Sequence, residues 1–577
     1  MKKLRLKMLC LLAIISVSTY ALPVTKEVNG IWYSIDSNTM TADVTQPLNG
    51  GNTYYSGMVN IPSTITYEGK TYTVTAILNG AFRGQGNMTT IVIPKTVKYI
   101  DYEACQYCSN LQSIVFASNG VLEKIERRAF TGCSVTALNF PNSLISIGED
   151  AFKDCDKLKS IKGGDNIQVW GDNIFQGCIS LTEVTFPKSL KKLGDFAFWN
   201  CSSLKKVTMN EGLEFIGNDA FLQCQVLEDV TISNTVKEVG WEAFRWCINL
   251  KHIEIPNSVE KMDYGVFRYC TWLESVKLSD NLTEIPAWAF EQTPLKSIEL
   301  PKNIKKIMPF AFRGCLYLTD VKWGNSLELI GGSAFANTGF TRVELPEPLF
   351  EIGQEAFAEC ENLIEVIIPR TTMQIVDYAF VKCSNLSCIY NYSSTPQAIS
   401  WTQSPFYLTA NPLYVHVYNG LKELYETNIS WEQAIEKDGV IIVDDIPVVE
   451  ATSIVIENAP YYCGVGEVGQ AVASTMPKNA FVKDLSWSSS DESILHIEEM
   501  TGQFVGLDEG EVTITVSTTD GTNLEATAKV YVTAQSGIKT PVDMTNQSRT
   551  VYNLQGQKMS KPVKGINIIN GKKYIIK

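Results

Sequence analysis

Cysteine is the reactive residue that this sequence repeats. Eleven of its fifteen cysteines recur at one repeat position: Cys108, Cys133, Cys155, Cys178, Cys201, Cys224, Cys247, Cys270, Cys315, Cys360 and Cys383. Thiols in series could pair as disulfides, hold a metal, or lie buried and inert. Thr293 and Thr338 fill the same place in two copies. A hydroxyl forms no disulfide and is a poor substitute for a thiolate ligand. The pattern therefore predicts a structural ladder of reduced thiols, weakly hydrogen-bonded to backbone, with no metal. Neighbouring rungs could still lie within disulfide range by Cα separation.

Other chemistry is scarce. His252, His416 and His496 are the only histidines, and they fall in different predicted strands. His416 reads as a surface strand residue. Gly464-Val465-Gly466-Glu467-Val468-Gly469 fits the dinucleotide pattern G-x-G-x-x-G. That pattern counts only where it joins a strand to a helix, and no helix-period segment follows. It reads as a turn. A glycosidase needs two carboxylates converging in a cleft, and the acids here are scattered over solvent positions. No catalytic set and no cofactor are expected.

An aromatic and basic constellation is the strongest candidate for binding. Variable repeat positions carry Phe196, Trp199, Trp241, Trp246, Tyr264, Tyr269, Trp272, Trp288 and Phe310. Arg245 and Arg268 each follow the key Phe of successive copies, so they should stack beside one another. Trp, Tyr and Arg dominate binding hot spots, and flat rings also suit sugars. The candidate residues are Trp199, Trp241, Arg245, Trp246, Tyr264, Arg268, Tyr269, Trp272 and Trp288. The competing reading is satellite packing over the bends of the chain.

These residues ride on a repeated phrase: Ala–Phe, two residues, Cys, two residues, Leu. Ala197–Phe198 leads to Cys201 and Leu204, and Ala220–Phe221 to Cys224 and Leu227. The key Phe returns every 22 or 23 residues from Phe130 to Phe380, with Phe82 opening the series and Cys105 in the second place. This makes fourteen copies between about residues 76 and 390. A fixed period in the twenties marks a solenoid. Each copy has an alternating strand, such as Val184-Thr185-Phe186, often closed by Pro. A second segment ends in Ile–Gly or Leu–Gly, where the glycine should permit a tight bend. One copy cannot bury its own apolar face, so copies stack. All the cysteines then point the same way off parallel coils. Thr185, Thr208, Thr231, Glu254, Lys277, Glu299, Lys322 and Glu344 should form a polar ladder, with opposite charges attracting between neighbours.

The phrase, the period and the cysteine rung resemble the BspA-like leucine-rich-repeat proteins of bacterial surfaces, over roughly residues 25–390. The resemblance departs at Thr293 and Thr338, and at Gly163–Gly164, which interrupt a strand. It implies adhesion to host surfaces. The expected fold is mostly β: a leucine-rich-repeat solenoid of about fourteen coils with end caps, followed by an immunoglobulin-like β-sandwich.

In chain order, residues 1–21 read as a signal peptide: Lys2, Lys3, Arg5 and Lys7, an apolar run from Met8 to Val17, then a cleavage site at Thr19-Tyr20-Ala21. Cys10 lacks the small residues of a lipoprotein site. Residues 22–75 form an N-terminal β cap, 76–390 the solenoid, and 391–447 a C-terminal cap with a helical stretch from Leu421 to Lys437. Residues 448–535 carry Trp487-Ser488-Ser489-Ser490, Thr501-Gly502 and Glu509-Gly510, and resemble bacterial immunoglobulin-like group 2 domains, which the resemblance implies act as spacers or adhesin modules. Residues 536–577 should hold two short strand pairs and look like the C-terminal sorting tails of Bacteroidetes. The net charge of −13 disfavours nucleic acid and anionic membranes. No stretch after the signal is apolar enough to span a bilayer. The sequence therefore reads as an exported, secreted or cell-surface protein. Its expected function is non-enzymatic binding of host protein or extracellular matrix. Glycan binding or a purely structural envelope role are the alternatives.

Overall fold

The computed structural model describes residues 22–47, 54–399, 403–477, 480–481, 485–519 and 522–534, and four strands between 551 and 576. The expected signal peptide lies outside the described residues. The chain forms two compact units, Met1–Phe340 with Glu355–Cys360, and Thr341–Gln354 with Glu361–Lys577. It is mostly β, with few helices and a solenoid of about sixteen turns. The repeat phrase marks about fourteen. The count grows because backbone rungs continue where the phrase is lost. Ser56–Asn60 pairs in parallel with Asn87–Ile93, and Leu413–Tyr418 with Cys388–Asn391.

In the first unit every coil contributes two rungs. The longer one alternates in burial, as in Glu183–Thr185, where only Val184 faces inward. The second is two residues long, as in Lys192–Leu193. The short rungs as far as Lys261–Met262 join an antiparallel meander (Val24–Val28, Ile31–Asp36, Thr41–Val44) in one fourteen-stranded sheet. The meander thus covers the sheet edge by extending the ladder. The long rungs break into sheets of two or three strands. The polar ladder is segmented with them: Thr185, Thr208 and Thr231 stand in register. Lys277 meets Glu254 at 2.5 Å and Lys322 meets Glu299 at 3.6 Å. Both pairs are exposed, so each contributes at most about 1 kcal/mol.

The repeated glycine does a different job from the one its sequence suggests. Gly148, Gly171, Gly194, Gly217 and Gly240 have no left-handed φ. A Cβ on Gly217 would lie 2.4 Å from the Gly194 carbonyl oxygen. The glycine lets one coil's backbone lie against the next. The left-handed places fall two residues before and two after the key Phe: Phe196 and Asn200, Asp219 and Gln223, Glu242 and Trp246. This turn aims alternate N–H groups at the next coil. Glu242 N donates to Tyr264 O (2.8 Å), Phe244 N to Val266 O (2.9 Å) and Trp246 N to Arg268 O (3.1 Å). Pro286 takes the glycine's place in one coil. Elsewhere that N–H bonds the coil before, as Gly240 N does to Ile216 O at 2.9 Å. Proline has no N–H to give. The sheet of short rungs stops at Lys261–Met262, just before it.

The key Phe rings form a column. From Phe130 to Phe357 they are fully buried and stacked, with centroids 5.1 to 5.9 Å apart. Beside them, each ladder cysteine from Cys108 to Cys360 donates its S–H to the key residue's carbonyl one coil back. Cys224 to Phe198 O is 3.2 Å, and Cys270 to Phe244 O is 3.1 Å. Thr293 and Thr338 bond their own coil's Phe carbonyl instead, at 2.8 and 2.9 Å. Burial pushes the thiols from Cys133 to Cys315 up, Cys155 and Cys315 to about 12. The ladder cysteines from Cys133 onward are free thiols.

In the second unit, Arg342–Glu344, Glu365–Ile368, Cys388–Asn391, Leu413–Tyr418 and Val440–Ile446 form a parallel sheet. The expected helical stretch is two helices, Lys422–Glu426 and Ile429–Asp438. Asn428 caps the second by accepting from Ser430 N, and left-handed Gly439 ends it. Tyr425 buries the inner face of the first helix, and Trp431 and Ala434 that of the second. His416 is part-buried, with Nδ1 2.8 Å from Asp445 Oδ1. Residues 453–533 build three small sheets around one core holding Trp487, Phe504, Ile514 and Val530. Gly464 to Gly469 is a turn between strands: Glu467 N donates to Gly464 O at 2.9 Å. The tail strands form one antiparallel sheet of four rather than two separate pairs.

Candidate functional site

The left-handed turn decides what the middle coils show to solvent. It places the residues two and three before the key Phe in one rib, and those after it in another. In the first rib Trp241 stacks on Tyr264 (5.7 Å, 12°). Tyr264 meets Trp288 edge-on (6.1 Å), and Trp288 stacks on Phe310 (5.3 Å, 6°). In the second, Trp246 stacks on Tyr269 at 4.7 Å. Trp241, Trp246 and Tyr264 are 36 to 39% exposed. Bulky residues with positive φ are uncommon. Trp246, Tyr269, Trp288 and Phe310 all have it. So does every coil at these places, so the strain belongs to the fold and the residue types distinguish this stretch.

A charged seam runs between the ribs. Glu242 is shared by Arg245 (2.7 Å) and Arg268 (3.5 Å). Arg268 also bonds buried Glu291, which lies 3.8 Å from Arg313. The Arg268 guanidinium lies over the rings of Tyr269 (4.9 Å) and Trp288 (6.0 Å), tying the two ribs together. Burial opposes its charge; Glu291 and then Glu242 raise its pKa despite that. Arg245 and Arg268 therefore meet through Glu242 and the Tyr269 ring.

Two candidates stand apart. Trp199 packs on Phe196 (5.7 Å) and donates to Gln223 Oε1 at 3.2 Å. Trp272, 53% exposed, takes Lys251 over its ring at 5.4 Å. Sequence reasoning missed Asp219, Glu242, Glu291 and Arg313. Asp219 accepts from Trp241 Nε1 at 3.0 Å, and its other oxygen is buried without a partner. A detectable signal was present: acids recur two residues before the key residue, at Glu103, Asp150, Asp219 and Glu242.

This arrangement offers rings and charged groups for contact. Among the described residues no three His, Cys, Asp or Glu could hold a metal ion. The histidines lie apart, each with its own partner: Ser275, Asp445 or Glu492. No described helix is long and apolar enough to cross a membrane.

Comparison with known proteins places this geometry. The family model for the BspA type leucine-rich repeat region matches in six copies, over residues 75–205, 191–315 and 283–406. A curated relative, an uncharacterized protein of Clostridium acetobutylicum, is 44% identical over 68 residues, 12% of this chain and 17% of the relative. A second from that organism is 34% identical over 83 residues, 14% of this chain and 8% of the relative. The chain thus matches under a fifth of either relative's length. Among solved structures, a leucine-rich repeat protein from Bacteroides ovatus is 28% identical with a TM-score of 0.53, covering 63% of this chain and 94% of that one. A leucine-rich cell surface protein from Faecalibacterium prausnitzii is 22% identical with a TM-score of 0.36, covering 64% and 96%. With its repeats matched from residue 75 to 406, this chain belongs to the BspA type leucine-rich-repeat family.

Proposed function

We propose that the protein is exported and acts at the cell surface as a non-enzymatic binding protein, adhering to host protein or extracellular matrix through its repeat surface. Membership of a family of bacterial surface proteins supports this reading. The observation that carries it is the double aromatic rib bridged by Arg268. Rigid rings and a guanidinium on successive coils give large contact area with little conformational entropy to lose. In the same reading residues 1–21 direct export, 448–535 form an immunoglobulin-like spacer, and 536–577 act as a sorting tail.

Glycan binding is the second reading. The stacked, flat faces of Trp241–Tyr264 and Trp288–Phe310 favour it, and soluble sugar should then compete.

The test is binding of the purified chain to arrays of matrix proteins and glycans. A saturable protein ligand is expected, retained after glycans are stripped. Combined Trp241→Ala, Trp246→Ala and Trp288→Ala should weaken it at least about tenfold with an unchanged far-UV spectrum. Unchanged affinity would remove the patch from the proposal. Hits on glycans alone would favour the second reading, and silence on both arrays a structural role in the envelope.

A further inference from the structure

The second coil breaks the thiol pattern. Wherever the phrase is intact, a Phe ring fills the place next to the ladder thiol. Here Cys105 occupies it, so that Cys105-Gln106-Tyr107-Cys108 is a C-x-x-C sequence. Both cysteines are fully buried. Cys108 N donates to Cys105 O at 3.3 Å, an i to i+3 turn. Such a turn brings the two Cα atoms within about 7 Å, and disulfides span roughly 4.4–6.8 Å. The Cys105 and Cys133 thiols both interact with that of Cys108.

Phe at this place would extend the stacked column toward Phe82, whose ring instead meets Tyr55 edge-on at 4.9 Å. Replacing a buried Phe by a small residue usually costs about 3–5 kcal/mol. A covalent bond between the sulfurs would offset part of that.

We propose that Cys105 and Cys108 are joined by a disulfide in the exported protein, formed at the expense of a disulfide-containing oxidant. This rests on the export reading, because such bonds persist in oxidising compartments. One of the two thiolates attacks the oxidant's disulfide and displaces one thiolate. The other then attacks the mixed disulfide and displaces the second. The two protons lost by the cysteines are taken up by the two displaced thiolates, so two electrons and two protons pass to the oxidant and its disulfide becomes two thiols. Both sulfurs are inaccessible once the coils close, so the bond forms during folding. Each other ladder thiol has a Phe, not a cysteine, three residues before it, and stays reduced.

The experiment is alkylation in denaturant, without reductant, of full-length protein recovered from outside the cytoplasm, followed by peptide mapping. The expected Cys105–Cys108 peptide is unalkylated and two hydrogens lighter than its dithiol, while the twelve other described cysteines are alkylated. Alkylation of both, or a Cys108–Cys133 link, would overturn the proposal. Failure to find the protein outside the cytoplasm would overturn the export reading instead. The purified chain refolded in oxidised and reduced glutathione then decides the pair: the same link supports it, and free thiols overturn it. Cys133→Ala should keep the link. Cys105→Phe, which fills the aromatic place, should fold with Cys108 alkylatable.

Discussion

Asp219 and Arg268 show how single residues support the exposed rings. The buried Asp219 carboxylate receives the Trp241 indole N–H. Burial pushes its pKa up to about 6 from 3.8, with Glu242 and Asp195 adding to the rise and Trp241 and Arg245 opposing it. The folded form therefore binds this proton more tightly than the unfolded chain. Between about pH 4 and 6 this group makes stability fall as pH rises. Asp219→Asn keeps an acceptor for the indole and cannot ionise. Its urea midpoint should lose that part of the slope relative to the wild type, and equal slopes would refute the assignment. Arg268→Ala leaves Glu291 buried, with only Arg313 at 3.8 Å among the ion pairs described. With the Arg268 side chain 23% exposed, the expected loss is about 1–3 kcal/mol in chemical denaturation. Ligand binding should also weaken, because the ribs lose their bridge.

At the scale of the coil, the glycine column and the left-handed turn are separate requirements and can be tested separately. Gly217→Ala places a methyl against the backbone of the preceding coil. Overpacking of this kind costs about 1–3 kcal/mol, and the turn's φ is not involved. Gly69→Ala has nothing within 4 Å but stands at a φ of +77°, so its cost of about 1 kcal/mol would be purely conformational. Denaturant midpoints of the two variants, with unchanged slopes, distinguish the causes. A larger loss at Gly69 than at Gly217 would contradict the close-approach account. Because stacked repeats contact only their neighbours, hydrogen exchange in Gly217→Ala should rise in the flanking coils and leave residues 453–533 unaffected.

For the whole chain, binding should leave a confined footprint. The ribs involve the coils keyed by Phe244, Phe267, Phe290 and Phe312, all within the first unit. Adding ligand should slow exchange at residues 241–246, 264–269 and 288–291. Protection confined to 448–534 would move the contact to the second unit. Much of this architecture was legible in the sequence. The period fixes the coil, and local alternation fixes which letters face inward. Ala, Phe, Cys and Leu could be placed in the core because each is set by neighbours a few residues away. The same local rule identified Trp241, Trp246, Tyr264 and Trp288 as outward-facing, variable positions. The tertiary structure decided what depends on residues 22 or 23 apart meeting across coils. It assigns the glycine to close approach, since the distance between backbones is not a local property. It groups the rings into two ribs and separates Trp199 and Trp272, because stacking depends on coil-to-coil offset. It buries Asp219 and Glu291 and half-buries Glu242, whose acidic character alone would place them in water. It also extends the solenoid past the last intact phrase, because hydrogen bonds between parallel backbones need no particular side chain.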